Sequence, residues 1–279
     1  MTDHIRTSRE EGVGVITMAR PERFNAMDVA MAQDFRKAGI QLARDETVRC
    51  VVLRGVEGVF SSGADLKYVR ERGAGRDTGY LHPEGTGPQQ SYGESFKQIL
   101  EYIHSTISEI KRAPKPFIAA VDGIAAAGGF GIAMACDLVM ASERATFEWA
   151  YHKTGLTGAE SSTFFLPRLV GLRKAMELVL LNPRLSAKEA KAAGLITAVL
   201  PTATFDAEVM ALARRLAAGP TRAYGVAKTL LNAAAGVDQL DYHLDEELQQ
   251  LVRIADGKDF AEGLASFFGK REAAFNGQD

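Results

Sequence analysis

The chain has 279 residues, 46% hydrophobic and 24% charged, with a formal net charge of −2 at pH 7. That profile excludes bulk disorder and fits one large globular domain or two small ones, and it carries no general basic field for nucleic acid. Two cysteines, Cys50 and Cys136, each inside an apolar run, exclude a disulfide framework and fit a reducing cytoplasm.

Gly12 to Ala19 alternates and is rich in β-branched residues, which predicts a strand. Asp28 caps a helix carrying Val29, Met31, Phe35, Ile40 and Leu42, and Arg49 to Leu53 is a short buried strand. Phe60 to Asp65 is a turn, with Asp65 as N-cap of a helix from Leu66. Arg70 to Ser95 is rich in glycine, holds two prolines and has no apolar period, so it reads as a long loop, either a binding element or a surface insertion. An amphipathic helix follows from Phe96 to Lys111, then a strand from Phe117 to Val121. Gly123 to Gly131 is made of small residues, Ile132 to Cys136 reads as a buried helix and Leu138 to Met140 as a strand. Gly155 to Ser162 is a polar turn leading into a helix through Phe165 and Leu169. Ser186 and Glu189 form a capping box, Gly194 stops that helix, and Ile196 to Leu200 is a last strand. Helices over 205–218, 221–235, 240–255 and 260–272 complete the chain. No linker separates domains, so residues 1–200 are expected to form an α/β core and 201–279 a helical extension of the same domain.

Several function classes drop out. No apolar run reaches the ~18 residues of a membrane span, and the first residues lack the basic and apolar regions of a signal peptide. A cytoplasmic location is expected, with no membrane or nucleic-acid partner. Metal motifs such as His-Glu-x-x-His and paired Cys-x-x-Cys are missing, and no metal site is expected. Gly129 to Met134 fails the third glycine of a dinucleotide fingerprint, and Ser61-Ser62-Gly63 is not a nucleophile elbow.

Two segments aim backbone donors. In Phe60-Ser-Ser-Gly-Ala-Asp65 a tight turn at Gly63 exposes the Ala64 N–H. In Gly128-Gly129-Phe130-Gly131 the glycines let a ligand approach the backbone at a helix start. Two such donors on one carbonyl oxygen make an oxyanion hole.

These segments, with Arg20-Pro-Glu-Arg-Phe-Asn25, Lys115-Pro-Phe-Ile-Ala-Ala-Val-Asp-Gly123, Leu166-Pro-Arg-Leu-Val-Gly171 and Ala190-Lys-Ala-Ala-Gly-Leu-Ile196, resemble the enoyl-CoA hydratase/isomerase, or crotonase, superfamily from about Gly12 to Phe275. The resemblance implies a crotonase-like spiral of ββα units with a helical C-terminal trimerisation region. It implies an acyl-CoA substrate, no cofactor beyond that thioester, a homotrimer or dimer of trimers, and enolate stabilisation by the Ala64 and Gly128 N–H groups. It places Arg23, Phe24, Ser62, Asp65, Leu66 and Tyr151 at the substrate, and Phe267 and Lys270 on the CoA of the same or a neighbouring subunit.

The sequence departs from the hydratase pattern at both usual glutamates, which fall on Gly131 and Tyr151. The remaining carboxylate is Glu160, one residue after the position (Ala159) where several superfamily members place an Asp. Helix-start stabilisation is its alternative role. His104 matches a catalytic His of the 4-chlorobenzoyl-CoA dehalogenase branch; a core or solvated His is the alternative. Tyr151 and His152 line the acyl pocket in this reading, with core packing and solvent exposure as their respective alternatives. Three readings follow: an enoyl-CoA isomerase or atypical hydratase, an acyl-CoA or aryl-CoA hydrolase or dehalogenase-like enzyme, and a catalytically silent acyl-CoA-binding trimer.

Overall fold

A computed structural model describes residues 3–56, 58–71 and 91–277. Most of the long loop expected over 70–95 lies outside the described residues.

The chain winds as a repeated step between two sheets. The larger has the order β1-β2-β3-β5-β7-β10, from β1 (Ile5–Glu10), β2 (Val13–Met18), β3 (Cys50–Gly55), β5 (Phe117–Val121), β7 (Leu138–Ser142) and β10 (Ala198–Leu200). The smaller has the order β4-β6-β8-β9, from β4 (Val59–Ser61), β6 (Ile124–Ala126), β8 (Thr146–Glu148) and β9 (Leu185–Ser186). β3 leads directly to β4, β5 to β6 and β7 to β8, so each turn of the chain adds one parallel strand to each sheet. This is the ββα spiral expected from the resemblance.

β1 was not expected. It pairs antiparallel with β2 at the sheet edge, and only Ile5 of its six residues is buried, so it shows no apolar period to read. β2 is buried along its whole length because both faces of the sheet are covered. Val13, Val15, Cys50 and Val52 face α8 (Phe205–Ala218), while Ile16, Met18, Val51 and Leu53 face the main core with α1 (Val29–Arg44) and α3 (Tyr92–Arg112).

The remaining helices are α2 (Leu66–Arg70), α4 (Gly128–Ala135), α5 (Ser162–Val170), α6 (Leu172–Leu181), α7 (Ala187–Ala192), α9 (Thr221–Ala234), α10 (Leu240–Ala255) and α11 (Lys258–Gly269). Several boundaries differ from expectation; β10 starts two residues later, at Ala198, and α11 two earlier, at Lys258. α3 begins at Tyr92, four residues earlier, because the Ser91 hydroxyl caps it by accepting the Glu94 N–H at 3.1 Å. α4 begins at Gly128, inside the small-residue run, since burial of every residue from 128 to 135 outweighs the poor helix propensity of glycine. α11 ends at Gly269, where Lys270 turns left-handed at φ +50°. α6 was not anticipated at all. It buries only Ala175 and Leu178 and leaves Leu172, Met176, Leu180 and Leu181 exposed. Among the described residues no helix is long and apolar enough to cross a membrane.

Candidate active site

The two turns that carry backbone donors meet. Gly63 has φ +92°, and a Cβ there would stand 2.6 Å from the Gly128 nitrogen. The β-bridge beside Ala64 uses the Met27 N–H to Gly63 O and the Asp65 N–H to Met27 O, which leaves the Ala64 N–H unused. Gly128 is the first residue of α4, so its N–H lies outside the helical ladder. Neither donor has an acceptor among the described residues. Ala127, before Gly128, holds φ +46° and ψ −121°. A side chain in that region is strained, and the strain aims the next N–H.

Glu160 reaches this pair. The turn from Gly155 ends in two left-handed residues, Glu160 at φ +49° and Ser161 at φ +62°. They swing the Glu160 carboxyl over α4: a Cβ at Gly128 would stand 2.6 Å from Glu160 Oε1. Ala159, the neighbouring position, is fully buried in the core. A Cβ at Gly131 would stand 2.4 Å from the Glu160 carbonyl oxygen, so the turn fills the room a side chain at 131 would need.

Tyr151 Oη lies 2.5 Å from Glu160 Oε2 and 3.0 Å from Ala159 O; its one proton goes to the nearer carboxylate oxygen. Burial pushes the Glu160 carboxyl up to about 8; the Tyr151 hydrogen bond opposes this and the nearby Glu247 carboxyl adds to it. The Tyr151 phenol is itself pushed well above its ordinary value, first by burial and then by the Glu160 charge. His152 is half-buried beside Trp149, with ring centroids 6.0 Å apart, and is not part of the cavity wall.

His104 stands behind the turn, outside the cavity wall. Its Nε2 accepts the Glu160 N–H at 3.2 Å, which puts its proton on Nδ1. Burial pushes its pKa down to about 3, against a backbone hydrogen bond at Leu244, so the ring is neutral. His104 contacts the backbone of Glu160 from outside the cavity wall.

The cavity holds about 400 Å³. Glu160, Tyr151, Gly128 and Ala64 form its base, with Ser62, Leu66, Phe96, Leu156 and Leu251 around them and Phe24, Phe267 and Phe268 toward the surface. Phe24 is 58% and Phe267 55% exposed, large aromatics left open at the rim. Arg23 also lines the cavity, held by Asp65 at 2.5 Å. Asp65 is fully engaged: it pairs with Arg23 and, at 3.2 Å, Arg20, and caps α2 by accepting the Lys67 and Tyr68 N–H groups. Its carboxylate therefore orients Arg23 and offers no free acceptor to a substrate. Lys270 lies outside the cavity wall, beyond Phe267, whereas Lys67 lines it and was not picked out from the sequence.

Two further carboxylates escaped the sequence reading. Glu148 lines the cavity but is paired with Lys153, with Arg184 at 3.0 Å and with the Asn182 amide at 2.9 Å. Burial pushes it up, yet the Lys153 and Arg184 contacts leave it below the usual range. Glu247 lies behind the Glu160 turn. Its signal was present: it interrupts the buried stripe Leu240, Leu244, Leu251, Ala255 of α10 at helical spacing.

The family described as Enoyl-CoA hydratase/isomerase matches residues 8–278. A 4-chlorobenzoyl coenzyme A dehalogenase-2 from Arthrobacter sp is 34% identical over 96% of this chain and 91% of its own. A 1,2-epoxyphenylacetyl-CoA isomerase from Escherichia coli (strain K12) is 33% identical, with 100% of both chains covered. Among solved structures, an enoyl-CoA hydratase from Mycobacterium avium subsp. paratuberculosis K-10 superposes with a TM-score of 0.85 at 31% identity, covering 99% of this chain and 100% of that one. The paired donors, the spiral that brings them together and these likenesses agree: the chain belongs to the enoyl-CoA hydratase/isomerase family.

Proposed function

We propose that the protein is an acyl-CoA isomerase that works through a thioester enolate, with Glu160 as its single proton-transfer group. The observation that carries this reading is the Glu160 carboxyl beside Gly128, in a cavity whose other lining carboxylates, Glu148, Asp65 and the exposed Glu22, are each paired with cations. The thioester oxygen accepts from the Ala64 and Gly128 N–H groups. Ionised Glu160 removes a proton from carbon α or γ, and the electrons pass into the enolate oxygen that the two donors stabilise. The same carboxyl then returns the proton to the other carbon, so one acid–base group suffices. Hydration is disfavoured because Gly131 and Tyr151 supply no second carboxylate to position water.

The relatives named for 4-chlorobenzoyl and 1,2-epoxyphenylacetyl thioesters support a ring-bearing acyl group, as do Phe96 and Tyr151 at the cavity wall. No cofactor beyond the thioester enters this scheme. Arg23 and Lys67 hold CoA phosphates, and the exposed apolar stripe of α6 supports assembly as a trimer or dimer of trimers.

The second reading, hydrolysis or dehalogenation with Glu160 as nucleophile, is favoured by the dehalogenase likeness. One experiment separates the two. Incubation with phenylacetyl- or enoyl-CoA in D₂O places deuterium at carbon α, and Glu160→Gln lowers that exchange by at least ~10². CoA release without exchange, with ¹⁸O from water entering Glu160 in a single turnover, overturns the isomerase reading in favour of the hydrolase. Fast hydration of crotonyl-CoA also overturns it.

A further inference from the structure

α5 starts without a local cap. Its N-cap residue, Ser161, is left-handed, and its side chain bonds none of the first N–H groups of the helix. A helix start left in this state normally recruits a neighbouring Ser, Thr, Asp or Asn. Here the acceptor comes from a distant helix. Glu247 of α10 accepts the Ser161 N–H at Oε2 (2.8 Å) and the Thr163 N–H at Oε1 (3.0 Å), and the Thr163 hydroxyl also donates to Oε1. Glu247 is 5% exposed. Beside it, His104 of α3 accepts the Glu160 N–H. The two consecutive N–H groups of the left-handed pair are thus each held by a side chain from a different helix. Left-handed non-glycine residues persist only where their surroundings over-determine them, and these contacts do so.

We propose that Glu247 is a positioning residue for Glu160, holding the left-handed turn that keeps the Glu160 carboxyl beside Gly128 at the start of α4. The inference rests on the role given to Glu160 above. Glu247 also acts through its charge. The groups that face it are His104 on α3, at 3.9 Å, His243 on its own helix, at 3.7 Å, and Tyr151 and Glu160 on the turn side. From α5, Arg168 stacks on Phe164 and lowers the proton affinity of His243. Burial pushes both histidines down, so neither supplies a resident cation. Burial pushes the Glu247 carboxyl up as well, against the hydrogen bonds from Thr163 and the backbone; in its charged form Glu247 favours the neutral form of Glu160 and delays its ionisation.

Two substitutions in the full chain separate position from charge. Glu247→Gln keeps the length and loses the charge; Glu247→Asp keeps the charge and is one methylene too short for both N–H groups. The readouts are kcat and KM for α-proton exchange, and the infrared carboxyl band of Glu160, assigned by its loss in Glu160→Gln. A misplaced carboxyl lowers kcat by about 10²-fold in Glu247→Asp with KM within about threefold. In Glu247→Gln the Glu160 band titrates at lower pH, and kcat falls because one amide cannot accept from both N–H groups. Folded variants with parental kcat and an unmoved Glu160 titration, even at a lower Tm, overturn the proposal and leave Glu247 a helix cap only. Should Glu247→Gln not fold, kcat against KM in Glu247→Asp decides. Exchange that is unchanged in Glu160→Gln overturns the proposed function instead, and the infrared titration still reads whether Glu247 controls Glu160.

Discussion

Tyr151 donates its phenolic proton to Glu160 Oε2 across 2.5 Å, inside a buried corner of the cavity. Tyr151, where the resemblance places the second acid of two-glutamate hydratases, thus contacts the carboxylate beside the donor turns. This bond favours the carboxylate form of Glu160. Tyr151→Phe removes it without changing the ring. The midpoint of kcat/KM against pH is expected to move further alkaline, and exchange at pH 7 to fall about 10-fold or more. An unchanged pH profile in a folded variant shows that Tyr151 does not support the base.

The pH dependence of activity follows from the burial of Glu160. A base must be ionised, so kcat/KM is expected to rise with pH and level off above about 8. Measurement from pH 5.5 to 9.5 checks this. A plateau already reached at pH 6 contradicts it.

Stability runs the opposite way. Folding raises the Glu160 pKa from 4.5 to about 8, so between those values the native state holds a proton that the unfolded chain has released. The contribution is complete below pH 4.5, declines as pH rises, and is lost above about 8. Glu160→Gln removes this dependence. At pH 9 the variant is expected to be more stable than the parent by on the order of 2–4 kcal/mol, taking about 1.4 kcal/mol per pH unit and allowing for relaxation of the site. At pH 4.5 the two should match closely. Denaturant melts at both pH values decide it.

The donor pair is tested by adding one methyl group. In Gly128→Ala the new Cβ would stand 2.6 Å from Glu160 Oε1 and 3.1 Å from the Gly63 Cα, so the carboxyl must move. Turnover is expected to fall by ~10² or more, with CoA binding retained. Ala64→Pro, which removes the other N–H, is expected to cost ~10² as well. Parental turnover in either folded variant removes that residue from the oxyanion hole.

CoA recognition is tested at the cavity mouth. Arg23→Ala is expected to raise KM about tenfold with kcat largely kept, since a charge-assisted phosphate contact is lost. Lys270→Ala weakens CoA more than 3′-dephospho-CoA if Lys270 reads the 3′-phosphate; equal weakening of both ligands shows that it does not. Light scattering in the same preparation should give three or six times the monomer mass, and a monomer contradicts assembly through the α6 face.

The sequence by itself determined the fold. The apolar runs from Val13 to Met18, Cys50 to Leu53 and Phe117 to Val121, the caps at Asp28 and Asp65 and the Ser186–Glu189 box are local signals, and each appears in the structure as an element or a cap. The motif order from Arg20 to Ile196 also pointed to the family, and Gly63 and Gly128 marked the donor turns. The edge strand β1 and the start of α4 were hidden for one reason: partners elsewhere in the chain stabilise them, while their own residues show no period or propensity.

Which acid–base groups meet was decided only in three dimensions. Glu160 reaches the donors because Glu160 and Ser161 both adopt φ values that no local preference of Glu or Ser selects. Those values are held by His104 and Glu247, which are 56 and 86 residues from their partners in the chain. His104, which resembles a catalytic residue in the sequence, accepts the Glu160 N–H in the structure, and Asp65 faces Arg23 and Arg20. Hydrogen bonds and charge pairs fall off within a few ångströms, so their partners depend on how the spiral stacks α3, α5 and α10. Periodicity along the chain records which face of a helix is buried; it does not record which buried polar group on the next helix will meet it.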